Sequence, residues 1–142
     1  MIKILVPIDG SDYSLKALRH VLDARHDYRE PIELHLLNVQ LPVASGAVKM
    51  FISAQQLNDY YRDEAESALK EARALAAAAG VAIQHHIGVG EPAAVITGYA
   101  KEKDCRLIAM GTHGRGSLAG ALMGSVAAKT IHLSPLPVLL VK

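Results

Sequence analysis

Ala109-Met110-Gly111-Thr112-His113-Gly114-Arg115-Gly116-Ser117-Leu118-Ala119-Gly120-Ala121-Leu122-Met123-Gly124-Ser125-Val126-Ala127 is the stretch from which the fold can be read. It opens at the end of an apolar run, residues 106–110, that reads as a buried strand. It then turns glycine-rich, and it closes at Gly124-Ser125 against a helical pattern. Strand, glycine loop and helix N-terminus form one half of a βαβ unit. In that arrangement, free backbone N–H groups and the positive end of a helix can hold a phosphate. An ordinary βα connection punctuated by flexible glycines has the same local pattern, so the loop alone does not decide the function.

Working outward, the chain alternates strand and helix throughout. Residues 2–8 are β-rich and end at the turn signal Asp9-Gly10, with Ser11-Asp12 offering an N-cap. Leu15, Leu18, Val21 and Leu22 recur at helical spacing, giving a helix to about His26. Residues 31–39 form a second strand whose near-continuous apolar end indicates burial on both faces, as in a parallel sheet. Residues 40–52, with Pro42, Ser45 and Gly46, read as a long loop. Residues 53–79 read as a long helix with the stripe Leu57, Tyr61, Ala65, Ala68, Leu69, Ala72, Leu75 and Ala79, stopped by Gly80. A third, edge-like strand follows at 81–87. Gly90-Glu91-Pro92 then starts a helix through Val95, Ile96, Tyr99 and Ala100. Residues 105–110 are the fourth strand, 125–133 the last helix and 138–141 the fifth strand. This β-α-β-α-β-α-β-α-β order, without repeat or internal linker, predicts one α/β domain over 1–142. Its parallel sheet would carry helices on both faces. A flavodoxin-like strand order and the order 3-2-1-4-5 both remain open.

Composition narrows the class. The chain has 142 residues, 51% hydrophobic and 20% charged, with 15 Lys+Arg against 14 Asp+Glu, so it reads as a soluble globular domain. The balanced charge, with no basic block, argues against nucleic-acid or membrane-surface binding, and no stretch suits a membrane span. The single cysteine, Cys105, fits a reducing compartment and reads as a small buried filler. With no signal-peptide pattern before the first strand, the expectation is a cytoplasmic protein.

Ligands of open α/β sheets sit beyond the carboxyl ends of the strands, where the strand order reverses. In a 3-2-1-4-5 order that point lies between strands one and four, which would bring Pro7-Ile8-Asp9-Gly10 and Met110-Gly111-Thr112-His113-Gly114 together. Asp9 could then accept hydrogen bonds from sugar hydroxyls or hold water or metal; equally, it could cap the first helix. Competing motifs fail. No Walker A run exists. Gly88-Val89-Gly90-Glu91-Pro92-Ala93 satisfies Gly-x-Gly-x-x-Ala, but Glu91 would point charge into the phosphate site and the next strand ends without an acid. There is no Gly-x-Ser-x-Gly elbow to make Ser125 and His113 a triad. His85 and His86 are adjacent on a strand and so face opposite ways, while His35 reads as a satisfied core histidine. Gly111 and Gly114 are expected to let backbone approach a ligand, with Gly124 opening the way to the helix and Ser125 supplying a hydroxyl and an N–H. Arg115 and Lys129 are candidate counter-charges.

Gly111-x-x-Gly114, nine residues, then Gly124-Ser125 resembles the Gly-2x-Gly-9x-Gly-(Ser/Thr) signature of the universal stress protein family. The opening Ile4-Leu5-Val6-Pro7-Ile8-Asp9-Gly10-Ser11, the Gly90-Glu91-Pro92 helix start and the ending Pro137-Val138-Leu139-Leu140-Val141 fit it too, so the resemblance spans the chain. It implies a three-layer sandwich with a 3-2-1-4-5 parallel sheet, of the adenine nucleotide alpha hydrolase-like kind. It also implies binding of ATP, or AMP or ADP, with magnesium or manganese held through the phosphates. Carried over by position, Pro7 and Asp9 would lie at the ribose and adenine side, and Val39 would contact adenine through its backbone. Met110, Gly111, His113 and Gly114 would line ribose and phosphates, and Gly124, Ser125 and Val126 would receive the β- and γ-phosphates. The resemblance also implies a homodimer through antiparallel pairing of strand 138–141, and a sensor or regulator acting on an unidentified protein partner. Two alternatives stand beside it. One is a slow ATPase or phosphoryl- or adenylyl-transfer enzyme using Ser125, His113 and Asp9. The other is a dimeric interaction module whose loop binds no nucleotide.

Overall fold

Alternate burial along the first strand sets up two layers. In β1, Ile2–Pro7, the side chains of Ile4 and Val6 enter one apolar cluster and that of Leu5 enters another, because successive strand residues face opposite sides of a sheet. The computed structural model describes residues 1–43, 46–114 and 122–142. Among them the elements run β1, α1 (Asp12–Asp23, continued by a 3-10 turn Ala24–Asp27), β2 (Ile32–Gln40), α2 (Gly46–Phe51), α3 (Ala54–Ala78), β3 (Ala82–Val89), α4 (Pro92–Glu102), β4 (Leu107–Gly111), α5 (Ser125–Leu133) and β5 (Val138–Val141). The sheet order is β3-β2-β1-β4-β5 and every pairing is parallel. Of the two orders the residue pattern allowed, the structure has 3-2-1-4-5, so the order reverses between β1 and β4.

The first cluster packs Leu18 and Val21 of α1 and Leu69, Ala72 and Ala76 of α3 against Ile4, Val6, Leu34 and Leu36. The second packs Ile96 and Ala100 of α4 and Ala127 of α5 against Leu5, Leu37 and Ile108. Each fully buried Leu or Ile contributes about 1.5–3 kcal/mol relative to exposure, so helices on both faces follow from strands apolar on both faces. Helix ends follow local chemistry. Ser11 accepts from the Ser14 N–H, Ser53 and Gln56 form a reciprocal capping box, and Gly80, at φ +67°, takes the left-handed conformation that ends α3.

Two expectations are corrected. Residues 40–52 are not loop throughout, because Gly46–Phe51 is helical; this turn buries no residue, so no apolar periodicity announces it. The buried face of α3 is Tyr61, Ala65, Leu69, Ala72 and Ala76, while Leu57, Ala68, Leu75 and Ala79 are only half-buried. At about 100° per residue, Leu57, Ala68 and Leu75 lie on one flank of the face that the buried residues share, and Ala79 is the cap residue just beyond the helix.

Candidate functional site

The carboxyl ends of β1 and β4 do converge. A Cβ built on Gly114 would lie 2.5 Å from Asp9 Oδ2, so the two segments touch across the point where strand order reverses. Around them opens a cavity of about 720 Å³, within the range of roughly 300–1,000 Å³ usual for small-molecule sites. Pro7 from β1, Asp9 from the turn that follows it, Val39 from β2, Met110, Gly111, His113 and Gly114 from β4 and its extension, and Gly124, Ser125 and Val126 at the start of α5 all line it. The ten residues singled out from the sequence thus share one cavity.

The local geometry explains several of them. Asp9 Oδ1 accepts the Ser11 N–H at 2.9 Å, so the turn role is real, and the same side chain also lines the cavity. His113 Nδ1 is 3.0 Å from Thr112 Oγ1, and its ring packs on Tyr13 with centroids 5.1 Å apart. The Gly124 N–H donates to Thr112 O at 2.6 Å, tying the start of α5 back to the end of β4. α1, α3 and α4 are each capped by a side chain, whereas Gly124 offers α5 none. The first hydrogen bond of α5 runs from the Ala128 N–H to Gly124 O. The N–H groups of Ser125, Val126 and Ala127 therefore have no carbonyl within the helix, and the positive end of the dipole faces the cavity.

The glycines also make room for contacts within the protein. A Cβ on Gly111 would lie 2.8 Å from the backbone oxygen of Tyr13, and one on Gly114 would meet Asp9. Gly111 lets β4 pack against α1 and Gly114 makes room for a carboxylate, so both absences serve contacts within the protein. Of the candidate counter-charges, Lys129 sits 3.9 Å from Glu91 and is not a lining residue. Arg115, with the rest of residues 115–121, lies outside the described residues.

Sequence reasoning missed other parts of the wall. Asn38 is buried, donating to Ile8 O at 2.8 Å and accepting from Gln40 Nε2 at 2.7 Å. A polar residue inside an apolar strand run must find such partners, and that signal could have pointed to it. Leu41, Pro42 and Val43 form a lip, anchored by the Val43 N–H donating to Tyr61 Oη at 2.9 Å, and α3 adds Tyr60, Glu64 and Ala68. These follow from tertiary packing that no local pattern carries.

Elsewhere the rejected motifs have structural occupations. The Glu91 carboxylate accepts from the Ala93 and Ala94 N–H groups and so fills the N-terminus of α4 itself. Cys105 is buried, and desolvation pushes its thiol up to about 11, the behaviour of an inert filler. Among the described residues, no three His, Cys, Asp or Glu side chains gather to hold a metal, and no helix is long and apolar enough to cross a membrane.

Comparison with known proteins agrees with this fold. The family model described as the universal stress protein family matches residues 1–142. Universal stress protein MJ0531 of Methanocaldococcus jannaschii is 34% identical over 141 residues, covering 99% of this chain and 81% of that protein. The solved structure of MJ0577, from the same organism, superposes with a TM-score of 0.85 at 30% identity over 99% of this chain and 95% of the other. A universal stress protein solved in complex with cAMP superposes with a TM-score of 0.66 at 27% identity, covering 99% and 95%.

Proposed function

We propose, from the premise that this chain belongs to the universal stress protein family, that it binds an adenine nucleotide in the β1/β4 cavity and works as a nucleotide-dependent stress sensor or regulator. The observation that carries this reading is the convergence on a single cavity of the Asp9 rim, the Gly114 rim and the start of α5, whose N-cap residue Gly124 brings no side-chain cap. A relative of 27% identity that holds cAMP supports the adenine nucleotide as the ligand class. ATP is the form we assign.

In this reading Pro7, Asp9 and Val39 take the base and ribose, Asp9 accepting from a sugar hydroxyl. Met110, Gly111, His113 and Gly114 flank ribose and phosphates. The N–H groups at Ser125 and Val126, with the Ser125 hydroxyl, meet phosphate oxygens, where backbone donors and the helix dipole act together. Magnesium or manganese would enter with the phosphates and offset their charge. All ten residues serve binding and none catalysis. We further assign the protein to the cytoplasm, as a homodimer joined through β5, the strand left at the sheet edge. An unidentified protein would respond to the loaded state.

The test is to denature the purified protein, identify any released nucleotide by chromatography, and titrate the emptied protein with ATP and AMP by calorimetry. Released adenine nucleotide or saturable ATP binding is expected. No nucleotide and no heat with either ligand would overturn the reading.

A further inference from the structure

A hydrogen-bonded chain of three titratable side chains lies beneath α4, away from the cavity, and nucleotide binding makes no use of it. His35, 2% exposed, has Nε2 at 2.8 Å from Glu33 Oε1 and Nδ1 at 2.9 Å from His86 Nε2. The two rings are nearly parallel, 5° apart, and they join β2 to the edge strand β3. One carboxylate fixes the protons of the whole chain. Glu33 can only accept, so His35 Nε2 carries a hydrogen. In the neutral ring His35 Nδ1 is then an acceptor, which makes His86 Nε2 a donor and leaves the His86 lone pair on Nδ1.

This arrangement has room for one added proton and no more. The first goes to the pair without breaking it, since one ring can remain donor and the other acceptor. A second would place N–H against N–H across 2.9 Å, with both rings cationic. The surroundings do not favour that charge. Lys103, just beyond the end of α4, acts on His86 as a further cation; on α4, Tyr99 packs against its ring at 5.6 Å, and Glu102, which pairs with Lys103, is a weaker opposing influence. On β1, Lys3 pairs in register with Glu33, and beyond α4 lie Asp104 and Cys105. His85, also a neighbouring cation when protonated, is exposed on the other face of β3.

β3 is also tied to the cavity. The Gly90 N–H, just beyond β3, donates to Gln40 O at 3.0 Å, and Gln40 holds Asn38, which in turn holds Ile8 O. Gln40, Asn38 and Ile8 all line the cavity.

We propose that Glu33, His35 and His86 form an acid-sensitive latch: the singly protonated or neutral pair holds β3 on β2, and uptake of the next proton releases β3 and with it the Gln40–Asn38 wall of the cavity. The link from the latch to ligand affinity rests on the nucleotide reading above; the latch itself does not. One extra proton bound by the opened state makes opening about tenfold easier per pH unit.

Hydrogen exchange tests the latch without ligand. After correction for intrinsic rates, protection of the β3 amides in wild-type protein is expected to fall about tenfold per pH unit below the histidine range. His86→Gln can still donate to His35 but cannot titrate, so it should flatten that dependence, while His85→Gln should keep it. The same slope in His86→Gln as in wild type, or no slope in wild type, overturns the latch. Imidazole nitrogen spectra of the wild type give a reading that needs no variant: two added protons on the pair in a protein with fully protected β3 also overturn it. With ATP present, affinity should fall over the same interval in wild type and hold in His86→Gln. An affinity that ignores pH while β3 opens overturns the link to the cavity. Absence of ATP binding at every pH overturns the nucleotide reading, and the exchange result still stands.

Discussion

Gly111 and Gly114 look equivalent in the sequence and differ in what they exclude. A side chain at Gly111 would press on the backbone of α1 at Tyr13, which cannot rotate away, whereas one at Gly114 would press on the Asp9 side chain, which can. Gly111→Val is therefore expected to cost about 1–3 kcal/mol of stability by overpacking, seen as a lower urea midpoint. Gly114→Ala should leave the midpoint nearly unchanged while displacing Asp9, so its loss should appear in the ATP affinity by calorimetry. If Gly111→Val is as stable as wild type, β4 does not rest on α1 as described. The spacing of these glycines was legible in the sequence, but their reason was not, because it depends on a helix that packs there only in three dimensions. His86 adds a pH dependence at the same scale. Burial, then the charge on His35, then Lys103, hold its pKa below the usual 6.5. The unfolded chain therefore binds this proton more readily, and the associated stability is present above pH 6.5 and is lost as pH falls below it. Thermal melts should show a decrease from pH 7.5 to 5.5 that is smaller in His86→Gln.

At the scale of elements, the segments whose apolar periodicity meets the core were legible, and those held by something else were not. β1, β2, α1, α4 and α5 fall within two residues or so of the sequence expectation, apart from the end of α1, where a 3-10 turn completes the predicted helix. Their strands bury both faces and their helices bury a stripe. α2 was invisible because it buries nothing, and the Tyr60–Glu64–Ala68 wall was invisible because it flanks the stripe of α3 rather than lying on it. Capping was readable, and it carries a prediction. Glu91 satisfies two N–H groups at the start of α4, while its contact with Lys129 at 3.9 Å is exposed and worth little. Glu91→Ala should cost about 1 kcal/mol in denaturant melts, and Lys129→Ala almost nothing. Equal losses in the two variants would mean that the ion pair, rather than the cap, is what α4 depends on.

Across the whole molecule, the sheet has one edge at β3 and another at β5. The Ile108 N–H donates to Pro137 O and the Thr112 N–H to Val141 O, so the odd-numbered positions 137 and 141 turn their carbonyls toward β4. By alternation, Val138 and Leu140 turn their N–H and C=O groups outward, which is the hydrogen-bonding row an antiparallel second copy would use. An apolar edge with such a row invites pairing, and this is the physical content of the proposed homodimer. Leu140→Pro removes an outward N–H without touching the β4 ladder, and proline is tolerated at a sheet edge. Sedimentation equilibrium should then show wild-type dimer and Leu140→Pro monomer, both still folded by circular dichroism. Leu139→Pro, by contrast, deletes an inward N–H and should lower the melting temperature as well as the association. A monomeric wild-type protein, or a Leu140→Pro protein that dimerises as tightly as wild type, would show that the β5 edge is not where two copies meet.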